Sequence, residues 1–277
     1  RMTAAEFRAW DAKSITLLGM SGVGKTYLST LLRQAHWFHY SADYRIGTRY
    51  LSEPILDNIK HQAMRVPFLR ELLRADSIYI SNNITVDNLT AVLTFLGKLG
   101  DPTLGGLDRP EFERRQRLYR DAEVAAMLDV PEFVTKARAI YGYQHFINDS
   151  AGSLCELDDP EVLSVLAANT LVIYIEATAE NGRELLRRAE ANPKPLYYRT
   201  AFLEVELSRY MQARRIIQVD QIEPDDFVLW MFPRLFEARV PRYAAIAQQC
   251  GYAIRADLLA PIQTESEFLA CVEGALG

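Results

Sequence analysis

The chain has 277 residues, 49% hydrophobic and 24% charged, a composition that suits a globular protein with a sizeable buried core. Its net charge of −5 argues against nucleic acid as the main partner, because a phosphate backbone demands a basic surface. No apolar stretch reaches membrane-spanning length and RMTAAEFRAWDAKS holds no signal-peptide core, so the expected compartment is the cytoplasm, with no membrane partner.

In chain order, Ser14–Leu18 is an apolar run that predicts a short buried strand. LLGMSGVGKTYLS (17–29) follows and fits G-x-x-x-x-G-K-[ST], with Gly19, Gly24, Lys25 and Thr26 at the fixed positions. Tyr27–Gln34, with Leu28, Leu31 and Leu32 on one face, predicts the helix that such a loop must open. Glycines let successive backbone N–H groups point inward at phosphate oxygens, and the helix start adds its partial positive charge. The residues expected to touch a nucleotide are Gly19, Ser21, Gly22, Val23, Gly24, Lys25, Thr26 and Tyr27. Lys25 is expected to bridge the β- and γ-phosphates, and the Thr26 hydroxyl to coordinate magnesium. ATP and Mg2+ are thus the expected cofactors.

Trp37–Ala42 predicts a second strand, ended by a polar turn at Asp43. From about residue 51 to 141 the pattern is mostly helical: EPILDNIKHQAM, VPFLRELLRA and NLTAVLTFLGKLG have helix spacing. DPTLGGLDRP breaks the run as a loop, then EFERRQRLYRDAEVAAMLD and PEFVTKARAIYGY resume it. QHFIND predicts a strand ending in Asp149, and NTLVIYIEA a strongly apolar strand ending at Glu176. Strands alternating with helices mean an α/β fold, a central parallel sheet between helix layers. Its core is expected over 2–50 and 142–277, with a helical insertion over 51–141. Cys155, Cys250 and Cys271 are isolated, and the four histidines lack ligand spacing, so no disulfide framework or Cys/His metal site is indicated.

Carboxylates at the carboxyl ends of parallel strands are where such sheets place their chemistry. Asp149 is the candidate that orders magnesium, the other reading being a turn or cap. Asp43 is the candidate base for a substrate hydroxyl, the other reading being an Asx turn. Arg45 and Arg49 follow it and could pair with an anionic acceptor, or lie on the surface. RELLRRAEANPKPLYYR concentrates cations after the fourth strand, where Pro193 and Pro195 break the helix. Such a run is usually a solvated face; because it sits where P-loop kinases carry a mobile lid, the other expectation is a lid, with Arg188 and Lys194 reaching the phosphates.

The order of elements resembles that of the shikimate kinase group of P-loop small-molecule kinases, relatives of the nucleoside monophosphate kinases. SADYRI is similar to that family's acidic motif after the second strand, with Asp43 at the substrate-binding acid. PKPLYY resembles its lid motif, TESEFLACVEGALG its final helix, and EARVPRYAAIA the stretch whose arginine grips an acidic substrate. The resemblance implies a substrate contact for Arg239, and a P-loop three-layer fold. It also implies an ATP-dependent kinase acting on the hydroxyl of a small anionic metabolite. The chain departs from the family pattern at Ser41, which replaces the first acid of Asp-x-Asp, and at Lys194, which replaces the lid arginine. NDSAGS stands where the family has a glycine triplet, and the insertion is longer, so an acceptor other than shikimate is expected. Two alternatives stand beside this reading. DYRIGTRY is also similar to a monophosphate-binding turn, as in a nucleotide or nucleoside kinase. A nucleotide-dependent ATPase switch, docking a protein partner through the insertion, is the other.

Overall fold

The computed structural model describes residues 1–277. Five parallel strands, β1 (Ser14–Leu18), β2 (Trp37–Ser41), β3 (His145–Asp149), β4 (Leu171–Glu176) and β5 (Gly251–Arg255), form one sheet in the order β2-β3-β1-β4-β5. β1 is buried along its whole length, as a strand covered on both faces must be. Its two buried hydroxyls are satisfied: Ser14 Oγ accepts from Arg138 Nη2 at 2.9 Å, and Thr16 Oγ1 lies 2.8 Å from Thr170 Oγ1 and accepts from Asn148 Nδ2 at 3.2 Å. Leu17 pairs with Asp149 and Ile173, and Ser41 with Asp149, so the carboxyl ends of these strands lie level. The chain runs from β1 to one edge and later to the other. This is the crossover point at which open α/β sheets form their ligand crevice.

The helices before β3 are α1 (Ala4–Ala9), α2 (Lys25–Gln34), α3 (Ala42–Arg45), α4 (Ser52–Ala63), α5 (Pro67–Arg74), α6 (Thr90–Leu96), α7 (Arg109–Leu128) and α8 (Val130–Ala139). A π-helical turn, Ile46–Tyr50, joins α3 to α4. After β3 come α9 (Pro160–Asn169), α10 (Ala179–Ala191), α11 (Thr200–Arg214), α12 (Pro224–Cys250), α13 (Ala256–Leu259) and α14 (Glu265–Leu276). Capping residues fix several starts: Asp108 ahead of α7, Thr178 with Asn181 at α10, and Thr264 with Glu267 at α14. The strand expected over Trp37–Ala42 stops one residue early, because the Ser41 hydroxyl accepts from Tyr44 N–H and caps α3.

Two apolar cores hold these elements. The larger spans the sheet and takes in Ile55, Val92, Phe95, Met127 and Val130 from the stretch 51–141. The smaller joins Leu99 and Phe112 to α11 and the first half of α12, around Tyr210, Phe227 and Met231. At about 1.5–3 kcal/mol for each fully buried large apolar side chain, this second core is enough to hold α11 against α12. The second half of α12 packs on the sheet, where the Tyr243 ring stacks on Tyr174 at 5.3 Å. One helix of 27 residues thus ties both cores together, carrying Arg239 between them.

Candidate functional site

The loop after β1 is shaped by three glycines at positive φ, where a side chain would be strained. Gly19 has φ +144°, and a Cβ there would sit 2.9 Å from the Ile175 carbonyl oxygen. Gly22, at φ +89°, would drive a Cβ to 2.6 Å from Leu185 Cδ2. Gly24 adopts φ +106° facing open space, and no side chain caps the helix that begins at Lys25. The first N–H groups of α2 are therefore free for an anion. Val23 is buried beneath the loop, while Ser21, Thr26 and Tyr27 are exposed. The Tyr27 hydroxyl donates to the Ile262 carbonyl at 3.0 Å, which leaves its backbone N–H as what it offers the loop.

Lys25 is buried, and its Nζ donates to the carbonyls of Gly19 at 2.7 Å and Met20 at 3.0 Å. Burial lowers its pKa, and the charges of Asp149 and Asp43 oppose that shift. Those two carboxylates are accordingly its neighbours across the crevice. Asp149 ends β3, is 7% exposed, and has its Oδ2 3.7 Å from His39 Nε2. Asp43 stands on α3, and burial together with the Asp149 charge pushes its pKa up to about 6. The Tyr119 hydroxyl reaches toward it at 3.4 Å, a long and weak donor contact.

Arg239 comes to the same floor from α12. Its Nη1 donates to the Gly152 carbonyl at 3.0 Å and its Nη2 to the Tyr197 carbonyl at 2.9 Å. Its Nε lies 3.8 Å from Oε1 of the fully buried Glu156, which also has Arg199 Nε at 3.1 Å and Arg242 Nε at 3.9 Å. The two carbonyl hydrogen bonds fix where Arg239 points, and the buried Glu156 charge lies against it without a hydrogen bond.

Glu123, on α7, belongs to this cluster and was not anticipated. It is fully buried, Ser153 Oγ donates to its Oε2 at 2.5 Å, and its Oε1 has no partner. Burial pushes its pKa up to about 8; the Ser153 hydrogen bond opposes the rise and the Asp43 charge adds to it. Its signal in the sequence was an acid one turn beyond Tyr119 on the apolar face of an amphipathic helix.

Part of the loop and part of the floor open into one cleft of about 360 Å3, whose lining does not include Lys25, Thr26, Asp149 or Glu123. Ser21 and Gly22 line it beside Asp43, Tyr119, Ser153 and Arg239, and Arg188 and Lys194 line it from α10 and the strand-like strap that follows. Lys194 is exposed, whereas Arg188 Nε donates to Glu184 Oε1 at 2.7 Å. The expectation for Arg45 and Arg49 is corrected, since neither lines the cleft. Arg45 pairs with Asp129 Oδ2, from Nε at 2.8 Å and Nη2 at 2.7 Å, and its guanidinium lies 4.9 Å from the centroid of the Phe133 ring. It follows Asp43 by two residues on a helix, roughly 200° around the axis, and so faces away. Arg49 is exposed on the π-helical turn.

As a donor set for magnesium, the Thr26 hydroxyl and the Asp149 carboxylate fit. Mg2+ typically takes one or two carboxylates and completes its shell with phosphate oxygens and water. No group of three His, Cys, Asp or Glu side chains is arranged to hold a metal by itself. No helix is long and apolar enough to cross a membrane.

No family model and no curated protein matches this sequence. Among solved structures, the chain resembles a shikimate kinase from Bacteroides thetaiotaomicron, at 15% identity and a TM-score of 0.44 over 95% of each chain. It also resembles a shikimate kinase from Acinetobacter baumannii in complex with shikimate, at 12% identity and a TM-score of 0.33 over 84% of this chain and 99% of that one. The P-loop α/β fold itself is read from the strand order and the loop geometry.

Proposed function

We propose that the protein is an ATP-dependent kinase that transfers the γ-phosphoryl group to the hydroxyl of a small, anionic metabolite. One observation carries the reading: Ser21 and Gly22 of the phosphate loop, the half-buried acid Asp43, Arg239 and the lid cations line a single cleft. A hydrolytic switch needs no second ligand site there, whereas a kinase does. Residues 2–50 and 142–277 then serve as the nucleotide-holding core, and 51–141 as the acceptor's cover.

In this reading the loop N–H groups and Lys25 hold the phosphates, and Lys194 and Arg188 approach them from the lid. Thr26 and Asp149 would hold magnesium, which when bound supplies positive charge to the phosphate oxygens. Asp43 accepts the proton of the acceptor hydroxyl as the hydroxyl oxygen bonds to phosphorus. The bond to ADP breaks, and its electron pair leaves on the ADP oxygen. A pKa of about 6 leaves Asp43 ionised at pH 7, yet close enough to take that proton. Arg239, held by two carbonyls, orients the acceptor's anionic group. Tyr119 and Tyr197, whose rings stack at 5.7 Å, help exclude water from the floor.

A nucleotide-dependent partner module is the alternative with an observation behind it. Phe68 and Tyr79, in the insertion, are 72% and 87% exposed. The monophosphate-binding turn has none, since Arg45 is engaged by Asp129. The test is a thermal-shift screen of hydroxylated metabolites with a non-hydrolysable ATP analogue and Mg2+. The kinase reading expects compounds that stabilise only the nucleotide-loaded protein, by RT ln(1 + [L]/Kd). A screen in which no hydroxylated compound does so, while a protein partner binds only the loaded form, would move the assignment to the switch.

A further inference from the structure

The cleft is lined asymmetrically. Its polar groups lie on the floor and the lid side, but the flank supplied by α6 and its N-cap residue Leu89 offers only hydrocarbon: Leu89, Val92, Leu93 and Leu96. These positions are i, i+3, i+4 and i+7, one continuous face of a helix turned to the cavity. Val92 and Leu96 also belong to the larger core, and Leu89 packs against it. Leu93 does neither. It is half-buried, joins neither core, and lines the cleft. Phe232, from α12, lines the cavity as well.

A leucine that no core needs, facing a ligand cavity, leaves the ligand itself as its partner. From this face we infer that the acceptor is an alcohol with an apolar body, branched aliphatic or aromatic, rather than a polyhydroxylated ring or sugar acid. The inference rests on the kinase reading for the placement of the reacting hydroxyl, and deepens it. The hydroxyl sits at Asp43, within reach of the loop, and the hydrocarbon lies along Leu93 and its neighbours. A polyhydroxylated acceptor of the same size would bury hydroxyls against a wall that carries no donor or acceptor. Each such hydroxyl loses its water without replacement. The volume, about 360 Å3, stands near the lower end of ligand cavities at roughly 300–1,000 Å3, so the acceptor is also small.

Leu93 is then a specificity-determining residue, and its substitution spares both cores. The experiment uses hydroxy acids that share one negative charge: 2-hydroxy-4-methylpentanoate, 3-phenyllactate and 4-(hydroxymethyl)benzoate against glycerate, threonate and quinate. Two readouts are taken for the full chain and for Leu93→Asn and Leu93→Met. One is ADP formation from Mg-ATP, and the other is the thermal shift with a non-hydrolysable ATP analogue. At least one apolar acid is expected to exceed every polyhydroxylated one by about tenfold to a hundredfold, the usual discrimination of a hydrophobic pocket. Leu93→Asn should bring that ratio within about threefold, and Leu93→Met should restore it. Binding of the apolar acids that depends on Leu93, with no stimulated ADP formation, would keep the inference and reject the kinase reading. Polyhydroxylated acids that bind and stimulate as well as or better than the apolar ones would overturn the inference and leave the kinase standing. It is overturned equally if neither class binds, or if Leu93→Asn leaves the ranking unchanged.

Discussion

The phosphate loop and the floor meet at one cleft and are built by opposite means. The loop is eight consecutive residues, and its work is done by backbone: three glycines with positive φ, an uncapped helix start and one lysine. The floor is assembled from side chains that arrive from distant segments. They are Asp43 of α3, Tyr119 and Glu123 of α7, Asp149 of β3 and Arg239 of α12. Backbone N–H groups do not titrate near neutrality, so their share of the loop's grip does not depend on pH. The floor packs three carboxyl groups into low dielectric, two of them with raised pKa values, so its chemistry follows pH closely. On the proposed reading, such a site separates holding a phosphate from deciding when and to what it moves.

The largest effect should come from the loop. Lys25→Ala is expected to lower phosphoryl transfer by about a thousandfold, since a preorganised charge on the transferring group is removed. The circular dichroism spectrum should stay that of the parent, because Lys25 hydrogen-bonds only to the loop's own carbonyls. Turnover equal to the parent's would remove the loop from the mechanism.

Next comes Asp43, the proposed base. Asp43→Asn should reduce acceptor-stimulated ADP formation by about a hundredfold or more while ATP affinity stays within about twofold. The parent's kcat/KM should fall as pH drops below about 6, where Asp43 takes up a proton, and the variant should lack that limb. A variant with the same acid limb as the parent would assign the titration to another group.

Two arginines test the corrected placement. Arg239→Ala should raise the acceptor's KM by about tenfold, and it should also lower Tm, because Glu156 loses a guanidinium while remaining buried. Arg49→Ala, an exposed change, should leave both values near the parent's. A raised acceptor KM in Arg49→Ala would reopen the turn as part of the site.

The smallest effect concerns Glu123, and it is read in stability. Its folded pKa, about 8, exceeds its ordinary 4.5, so between those values the folded state keeps a proton that the unfolded state has lost. Stability of the parent therefore falls as pH rises across that window and levels off above it. Glu123→Gln has no such titration, so its Tm should gain on the parent's between about pH 5 and 8. A Tm difference that stays flat with pH would mean that Glu123 is ionised in the fold.

The same contrast between loop and floor governs what the sequence discloses. Strand, loop and helix at 14–34 are neighbours in the chain, and the glycine spacing states its own geometry. Asp149 and Asp43 were visible because strand ends in a parallel sheet are predictable places. Glu123 was not, because an amphipathic pattern shows which face of α7 is buried but not what it is buried against. Arg45 misled for the converse reason: proximity to Asp43 along the chain conceals the turn of α3 that points it at Asp129. The strand Gly251–Arg255 and the second core lay unread. GYAIR is short and flanked by helix on both sides, and α11 shows no apolar stripe from which a packing face could be read.

Phosphorus NMR of the protein with Mg-ATP and an acceptor from the thermal-shift screen tests the central claim most directly. The account predicts a new phosphate monoester resonance that grows in step with ADP, and that depends on both Lys25 and Asp43. Inorganic phosphate growing in step with ADP, with no ester formed, would contradict it.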